Sequence, residues 1–234
     1  MTTPADHAWD GQLELGDRWA TWRGSVGDSV AHRHLAAQIA VADTPIGVRD
    51  AAGRRHEARV VLIDPLVQHR FESHRGARMI FVEAIAPGLD ARRALADLGP
   101  VPDDAVVLAS TDPRLRTWRS PAQIPSSDLP EALKRSLARV ERQLAEGPVP
   151  LVLAAKAAGL SPERYRHVFV QSLGLPFRRY LLWRRVQRAF AAMTAGAGVT
   201  TAAHAAGFAD AAHFARTLKA MFGVTATQIM RPGA

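Results

Sequence analysis

The sequence predicts an α+β chain in two domains, β-rich over residues 1–124 and all-α over residues 125–234. Three observations predict it. Short apolar or alternating runs broken by turn residues fill the first half. Apolar stripes at helical spacing fill the second half. The charge divides at the same place: 15 Arg against 16 acids leave −1 on residues 1–124, whereas 15 Lys plus Arg against 6 acids leave +9 on residues 125–234. An excess confined to one half points to a polyanion partner for that half.

In the first half the runs are Gln12–Arg23, Ala37–Ala42, Ala58–Ile63, Arg78–Ala86 and Ala105–Ala109. Strands at this spacing predict a barrel or sandwich. A helix is expected at Asp90–Leu98, with Asp90 as N-cap and Gly99 after its end. Arg119–Ser127, rich in Pro and Ser, is the expected boundary between the domains. The absence of Cys excludes disulfides, thiolate metal sites and cysteine nucleophiles, and fits a reducing compartment. No apolar run is long enough to span a membrane, and Met1–Asp10 lacks the pattern of a signal peptide, so a cytoplasmic protein is expected.

The second half opens with an apolar stripe at Leu129, Leu133, Leu137, Val140 and Leu144. Asp128 is the candidate N-cap, Pro130 suits the first turn, and Gly147-Pro148 stops the helix. An internal repeat follows. Ala155-xxx-Gly159 recurs 48 residues later as Ala203-xxx-Gly207, and Tyr165, Phe169 and Gly174 recur 49 residues later as Phe214, Leu218 and Gly223. The spacing is that of a helix-turn-helix. Ala155 and Ala203 let two helices cross closely, Gly159 and Gly207 make the turn, and Ser161 and Asp210 cap the second helix.

The run Gly159-Leu-Ser-Pro…Phe169…Gly174-Leu-Pro-Phe-Arg-Arg-Tyr180…Arg184-Arg185…Ala189, then Gly207-Phe208…Phe214-Ala-Arg216-Thr-Leu-Lys219…Phe222-Gly-Val-Thr225, resembles the DNA-binding domain of the AraC/XylS regulators, over residues 128–231. The resemblance implies two helix-turn-helix units joined by a long helix, with their second helices in successive major grooves. Pro176–Thr194 is the expected joining helix, about 28 Å long against about 34 Å for one DNA turn. Tyr165, Val168, Phe169 and Ser172 should face the core, leaving Glu163, Arg166, His167 and Val170 outward. In the second unit Phe214, Leu218 and Met221 should face inward, and Ala211, Ala212, Ala215, Arg216 and Lys219 outward. The implied base readers are Glu163, Arg166 and His167, with Ala211, Ala212, Arg216 and Lys219 in the second unit. Arg and His can donate to guanine and Glu can accept from cytosine, whereas Ala can only touch a thymine methyl. The first unit should therefore carry more of the base preference. Arg178, Arg179, Arg184, Arg185 and Arg188 lie on or beside the joining helix as candidates for phosphate contact. Thr225-Ala226 departs from the family's Thr-Pro.

Two further motifs lie in the first half. His32-Arg-His34-xxx-Gln38 with Gly47 resembles the first metal motif of cupin barrels, with Gln for Glu, and Pro65-Leu-Val-Gln-His69 resembles the second, with Val67 for Gly and Ser73 for Asn. A cupin-like domain that takes a small effector or mediates dimerisation is the expectation. His32, His34, Gln38 and His69 form its candidate pocket, and a divalent metal at His32, His34 and His69 is an open alternative. Asp64 reads as turn chemistry, and His7, His56 and His74 as surface residues. The resulting function is a sequence-specific transcription regulator that is not an enzyme. Its partners are promoter DNA, an unidentified effector and, as candidates, RNA polymerase and a second copy of the chain. The alternatives are a metal-dependent cupin enzyme fused to a DNA-binding domain, or an effector-independent DNA-binding protein.

Overall fold

The structure, a computed structural model, describes residues 9–16, 19–83, 102–118, 129–144 and 146–229. The expected helix at Asp90–Leu98, the boundary at Arg119–Ser127, the Asp128 cap and His7 lie outside these residues. The chain divides into two compact units, residues 1–124 with 215–234, and residues 125–214. The sequence expectation carried the helical part on to residue 234.

The first unit holds one connected sheet of β1 (Asp10–Gly16), β2 (Trp19–Val26), β3 (Ala37–Arg49), β4 (Arg55–Ile63), β5 (Arg70–Phe71), β6 (His74–Val82) and β7 (Val106–Leu108). The order is β1-β2-β6-β3-β4-β7, with β5 also on β3, and every pairing is antiparallel except β4 with β7. Gln12–Arg23, which reads as one run, is two strands paired with each other, Leu13 opposite Trp22. β3 is twice the length of the apolar run that announces it. A register shift between Val41 and Ile46 absorbs Pro45, whose missing N–H would interrupt a regular ladder.

The end of β4, Val60–Ile63, is apolar on both faces because both are covered. Val61 and Ile63 pack with Trp22, Ile46, Val48 and Met79, while Val60 and Leu62 pack with Ile39, Ile80 and Trp118. Asp64, at the end of β4, does more than turn the chain. It is fully buried, and its carboxylate accepts from the amides of Ser110 (2.8 Å), Thr117 (2.7 Å) and Trp118 (3.2 Å). The Trp118 indole N–H donates to the Ile63 carbonyl at 2.8 Å. One side chain thus ties residues 110–118 to the sheet. Burial pushes the Asp64 carboxyl above its usual range, against the pull of the three amide donors.

The second unit is helical. Its elements are α1 (Glu131–Leu144), α2 (Leu151–Ala158), α3 (Pro162–Leu173), α4 (Phe177–Thr194), α5 (Val199–Ala205) and the start of α6 (Ala211–Phe222), whose later part counts with the first unit, as does α7 (Ala226–Ile229). The stripe from Leu129 to Leu144 is buried throughout. The Ser136 hydroxyl on α1 donates to the Ala154 carbonyl at 2.8 Å and lies 2.8 Å from the Tyr165 hydroxyl, so three helices meet at one buried polar point. Burial there raises Tyr165 to about 12. α4 is joined to α1 through Arg184, whose Nη2 donates to Glu141 at 2.8 Å.

Asp64→Ala would leave three buried amides without an acceptor. It is expected to cost roughly 2–5 kcal/mol of unfolding free energy, read as a lower urea midpoint.

Candidate nucleic-acid interface

The two repeats close their turns with the same hydrogen bonds. After α2, Gly159 adopts φ 70°, its N–H bonds to the Lys156 carbonyl, and Leu160 N–H reaches the Ala155 carbonyl, both at 3.0 Å. After α5, Gly207 adopts φ 82°, its N–H bonds to His204 at 2.9 Å, and Phe208 N–H reaches Ala203 at 3.0 Å. Both are Schellman closures, in which the left-handed residue favours glycine. Ala155 and Ala203 therefore have two tasks, being fully packed small residues and supplying the carbonyl that ends the helix.

Each second helix is then started by a side chain. Ser161 Oγ accepts from Arg164 N–H at 3.2 Å, with Pro162 at the first helical position. Asp210 Oδ1 accepts from His213 N–H at 2.6 Å. These caps satisfy amides that a helix leaves free at its start.

On α3, Tyr165, Phe169 and Leu173 are buried, whereas Val168 and Ser172 are only half-buried. The inward stripe thus follows a spacing of four, and Leu173 replaces Ser172 in it. Glu163, Arg166 and His167 are exposed; Val170 is half-buried rather than outward. Glu163 and Arg166 stand 3.9 Å apart as a solvent-exposed pair. On α6, Phe214, Leu218 and Met221 are buried, joined by Thr217. Ala212, Arg216 and Lys219 are exposed, while Ala211 and Ala215 are half-buried. α4 has 18 residues, about 27 Å of helix, close to the length its sequence implies. Of the arginines on it, Arg184 is taken up by Glu141 of α1 and is structural.

The histidine motifs of the first unit converge. His32 and His34 lie outside regular strand, and His32 and His69 form an isolated bridge with mutual backbone hydrogen bonds of 2.9 and 3.0 Å. Leu66, with φ 64°, is the one non-glycine residue at positive φ among the described residues, and it turns the chain toward His69. The ligand atoms of His32, His34 and His69 lie within 4.8 Å of one another, and all three side chains are buried. Their Nδ1 atoms face the carbonyls of Val30 (2.8 Å), Ala36 (2.9 Å) and Val67 (2.9 Å). Each Nδ1 therefore carries the proton, and each Nε2 presents a lone pair. Burial, and for His32 and His69 the neighbouring imidazoles, hold all three below their ordinary range, His32 at about 3. They are neutral at pH 7. His69 Nε2 is buried with no hydrogen-bond partner.

The Gln38 amide lies 2.8 Å from His34 Nε2 and 3.1 Å from the Met79 sulfur. A neutral His34 accepts there, so the amide N–H₂ must face it. The set fits a borderline metal ion, since neutral imidazoles held by second-shell carbonyls are its usual donors. Tetrahedral bonds of about 2.1 Å place donors about 3.4 Å apart, so about 1 Å of ring movement would close the site.

The cluster also touches the end of the chain within the same unit. His34 stacks on Phe222 at 5.8 Å, and Val30 N–H donates to the Gly223 carbonyl at 3.1 Å. A Cβ at Gly223 would come within 2.7 Å of His32 Nδ1. Sequence reading gave Gly223 only its place in the repeat and assigned nothing to Phe222. Of the remaining described histidines, His56 bonds Asp50 at 3.0 Å and His74 bonds Thr44 at 2.9 Å.

A family model described as a helix-turn-helix domain matches residues 154–231, a third of the chain. Over nearly its whole length the chain is similar in fold to ToxT from Vibrio cholerae. One structure of it, at 12% identity, has a TM-score of 0.58 and covers 91% of this chain and 98% of that one. Another, wild-type ToxT of strain SCE256 with a bound unsaturated fatty acid, has 11% identity and a TM-score of 0.56, covering 94% and 97%. At such identities the likeness establishes the fold alone. No curated protein matches the chain. No helix among the described residues is long and apolar enough to cross a membrane. The family match spans both Schellman-closed repeats and runs from Ala154 to Arg231. By this match residues 154–231 are a helix-turn-helix domain.

Proposed function

We propose that this chain is a transcription regulator of the AraC/XylS type, which reads promoter DNA with residues 125–234 and answers to a small molecule held by residues 1–124. The observation that carries the reading is the pair of equivalent helix-turn-helix units, each closed by the same hydrogen bonds, in the half of the chain with net charge +9. Glu163, Arg166 and His167, exposed on α3, are the base readers of the first unit. Ala211, Ala212, Arg216 and Lys219 serve the second, where short side chains leave phosphate contact as the larger contribution. The helix-turn-helix domain favours action by binding rather than catalysis. The family resemblance adds RNA polymerase and a second copy of the chain as partners, and the cytoplasm as the place of action.

The effector pocket is the region of His32, His34, Gln38 and His69. Its position against Phe222 and Gly223 supports coupling, because a ligand there displaces groups that touch the end of α6. Binding would then shift the population of DNA-competent conformations. The fatty acid seen in ToxT favours an organic effector. The unpartnered Nε2 of His69 favours a second reading, a divalent metal ion as the ligand. In that case His32, His34 and His69 would hold the ion, with Gln38 turning its amide oxygen toward it.

Selection from random duplexes should give Glu163→Ala plus His167→Ala a relaxed base preference, losing about fivefold to a hundredfold discrimination per contact. Arg216→Ala should weaken binding evenly across sequences, and equal relaxation by both variants would sink the assignment. Zinc titrated into the purified protein should raise its melting temperature by several degrees, and His69→Ala should abolish the rise. A wild type that ignores zinc but is stabilised by an apolar carboxylate restores the organic effector. Without ligand, stability should fall as the pH drops below about 6.5, because the unfolded histidines take up protons that the buried ones refuse. A urea midpoint constant between pH 7 and pH 5 would contradict that.

A further inference from the structure

Arg178 and Arg185 differ from their neighbour Arg184 in having no acidic partner among the described residues. A cavity of about 1000 Å³ in the helical unit is bounded by Arg166 and Val170 of α3, by Arg178, Leu181 and Arg185 of α4, and by His213 of α6. None of the residues lining it is acidic. Arg178 is exposed, and among the described residues neither it nor Arg185 has an ion-pair partner. Arg185 is half-buried, and its Nε is buried without a hydrogen-bond acceptor. Arg166 has only a long contact, 3.9 Å, with Glu163.

A half-buried guanidinium with an idle N–H is costly, and the cost is recovered when an anion accepts the bond. Burial lowers the Arg185 pKa, yet a guanidinium stays charged in the physiological range. The walls of the cavity come from α3 and α6, the second helices of the two units, and its floor from α4. If both second helices enter successive major grooves, the intervening minor groove and its two phosphate strands pass over this floor. That geometry selects the occupant, since a planar guanidinium fork matches a phosphodiester.

We propose that Arg178 and Arg185 form a phosphate clamp between the two reading helices, gripping the DNA backbone at the minor groove that separates the two major-groove contacts. The clamp rests on the DNA-reading function proposed above. It carries affinity without base preference and sets the register of both helices on the duplex.

The test is fluorescence anisotropy of the full chain on a labelled duplex of about two helical turns, at a series of KCl concentrations. Arg178→Ala/Arg185→Ala should reduce the slope of log K against log salt by about 1.8, at about 0.9 per phosphate, and weaken binding at least tenfold near 0.1 M salt on any sequence. Arg185→Lys should keep the slope, because the charge remains. Arg139→Ala, exposed on α1 and outside the cavity, should behave as wild type. If the double variant loses its circular dichroism signal, Arg178→Ala alone must still lower the slope by about 0.9. A folded double variant with the wild-type slope overturns the clamp while leaving DNA binding intact, and so does an equal loss in Arg139→Ala. Displacement of DNA by inorganic phosphate, at ionic strength matched with KCl, would make a free anion the occupant and overturn the assignment. A wild type that binds no duplex at low salt removes the DNA-reading function and the clamp together.

Discussion

The helical half depends on one backbone constraint, repeated. At Gly159 and Gly207 the chain must pass through left-handed φ while the next amide reaches back five residues to an alanine carbonyl. That closure fixes the angle at which the second helix leaves the first, and Ser161 or Asp210 then starts it. With the angle set, Tyr165, Phe169 and Leu173 on one helix and Phe214 and Leu218 on the other fall into the core. Their opposite faces are left to solvent with Arg166, His167, Arg216 and Lys219 on them. A side chain at either glycine would load the turn with about 1–2 kcal/mol of strain and tilt a whole recognition face.

The strand unit obeys the opposite demand. Its three clustered histidines stay uncharged because burial disfavours the imidazolium, and carbonyls hold the proton on Nδ1. The cost is a buried lone pair without a donor at His69 Nε2, whereas Gln38 answers that of His34. The neighbouring Phe222 and Gly223 pack so closely that little of this pocket can change without moving them. The histidine cluster and the end of α6 thus share one packed region.

Much of this was legible. The repeat announces both turns and both caps, because a helix-turn-helix is a local device whose hydrogen bonds span fewer than ten residues. The outward residues of α3 follow from its inward ones, although the stripe was misplaced by one position at Ser172, where Leu173 is the larger apolar group. Less was legible among the strands. Gln12–Arg23 concealed two paired strands, since its alternation gives no sign of where one ends and the next begins. β3 ran on through Pro45 because a bulge, invisible in composition, removed the objection to proline. Asp64 looked like punctuation before Pro65, yet the donors it serves lie about 46 to 54 residues away.

Local chemistry therefore suffices for the fold class, the repeat, the charged half and the identity of the histidines. Long-range packing decides what each polar group does with its charge. Arg184 and Arg185 are adjacent in sequence and chemically identical, but helical rotation turns one toward Glu141 and the other into a cavity without an acid. The three histidines come from two separated motifs, and only the bridge between His32 and His69 brings their nitrogens together. A sequence names the donors and acceptors; which of them meet is settled by the burial of the apolar faces that carry them.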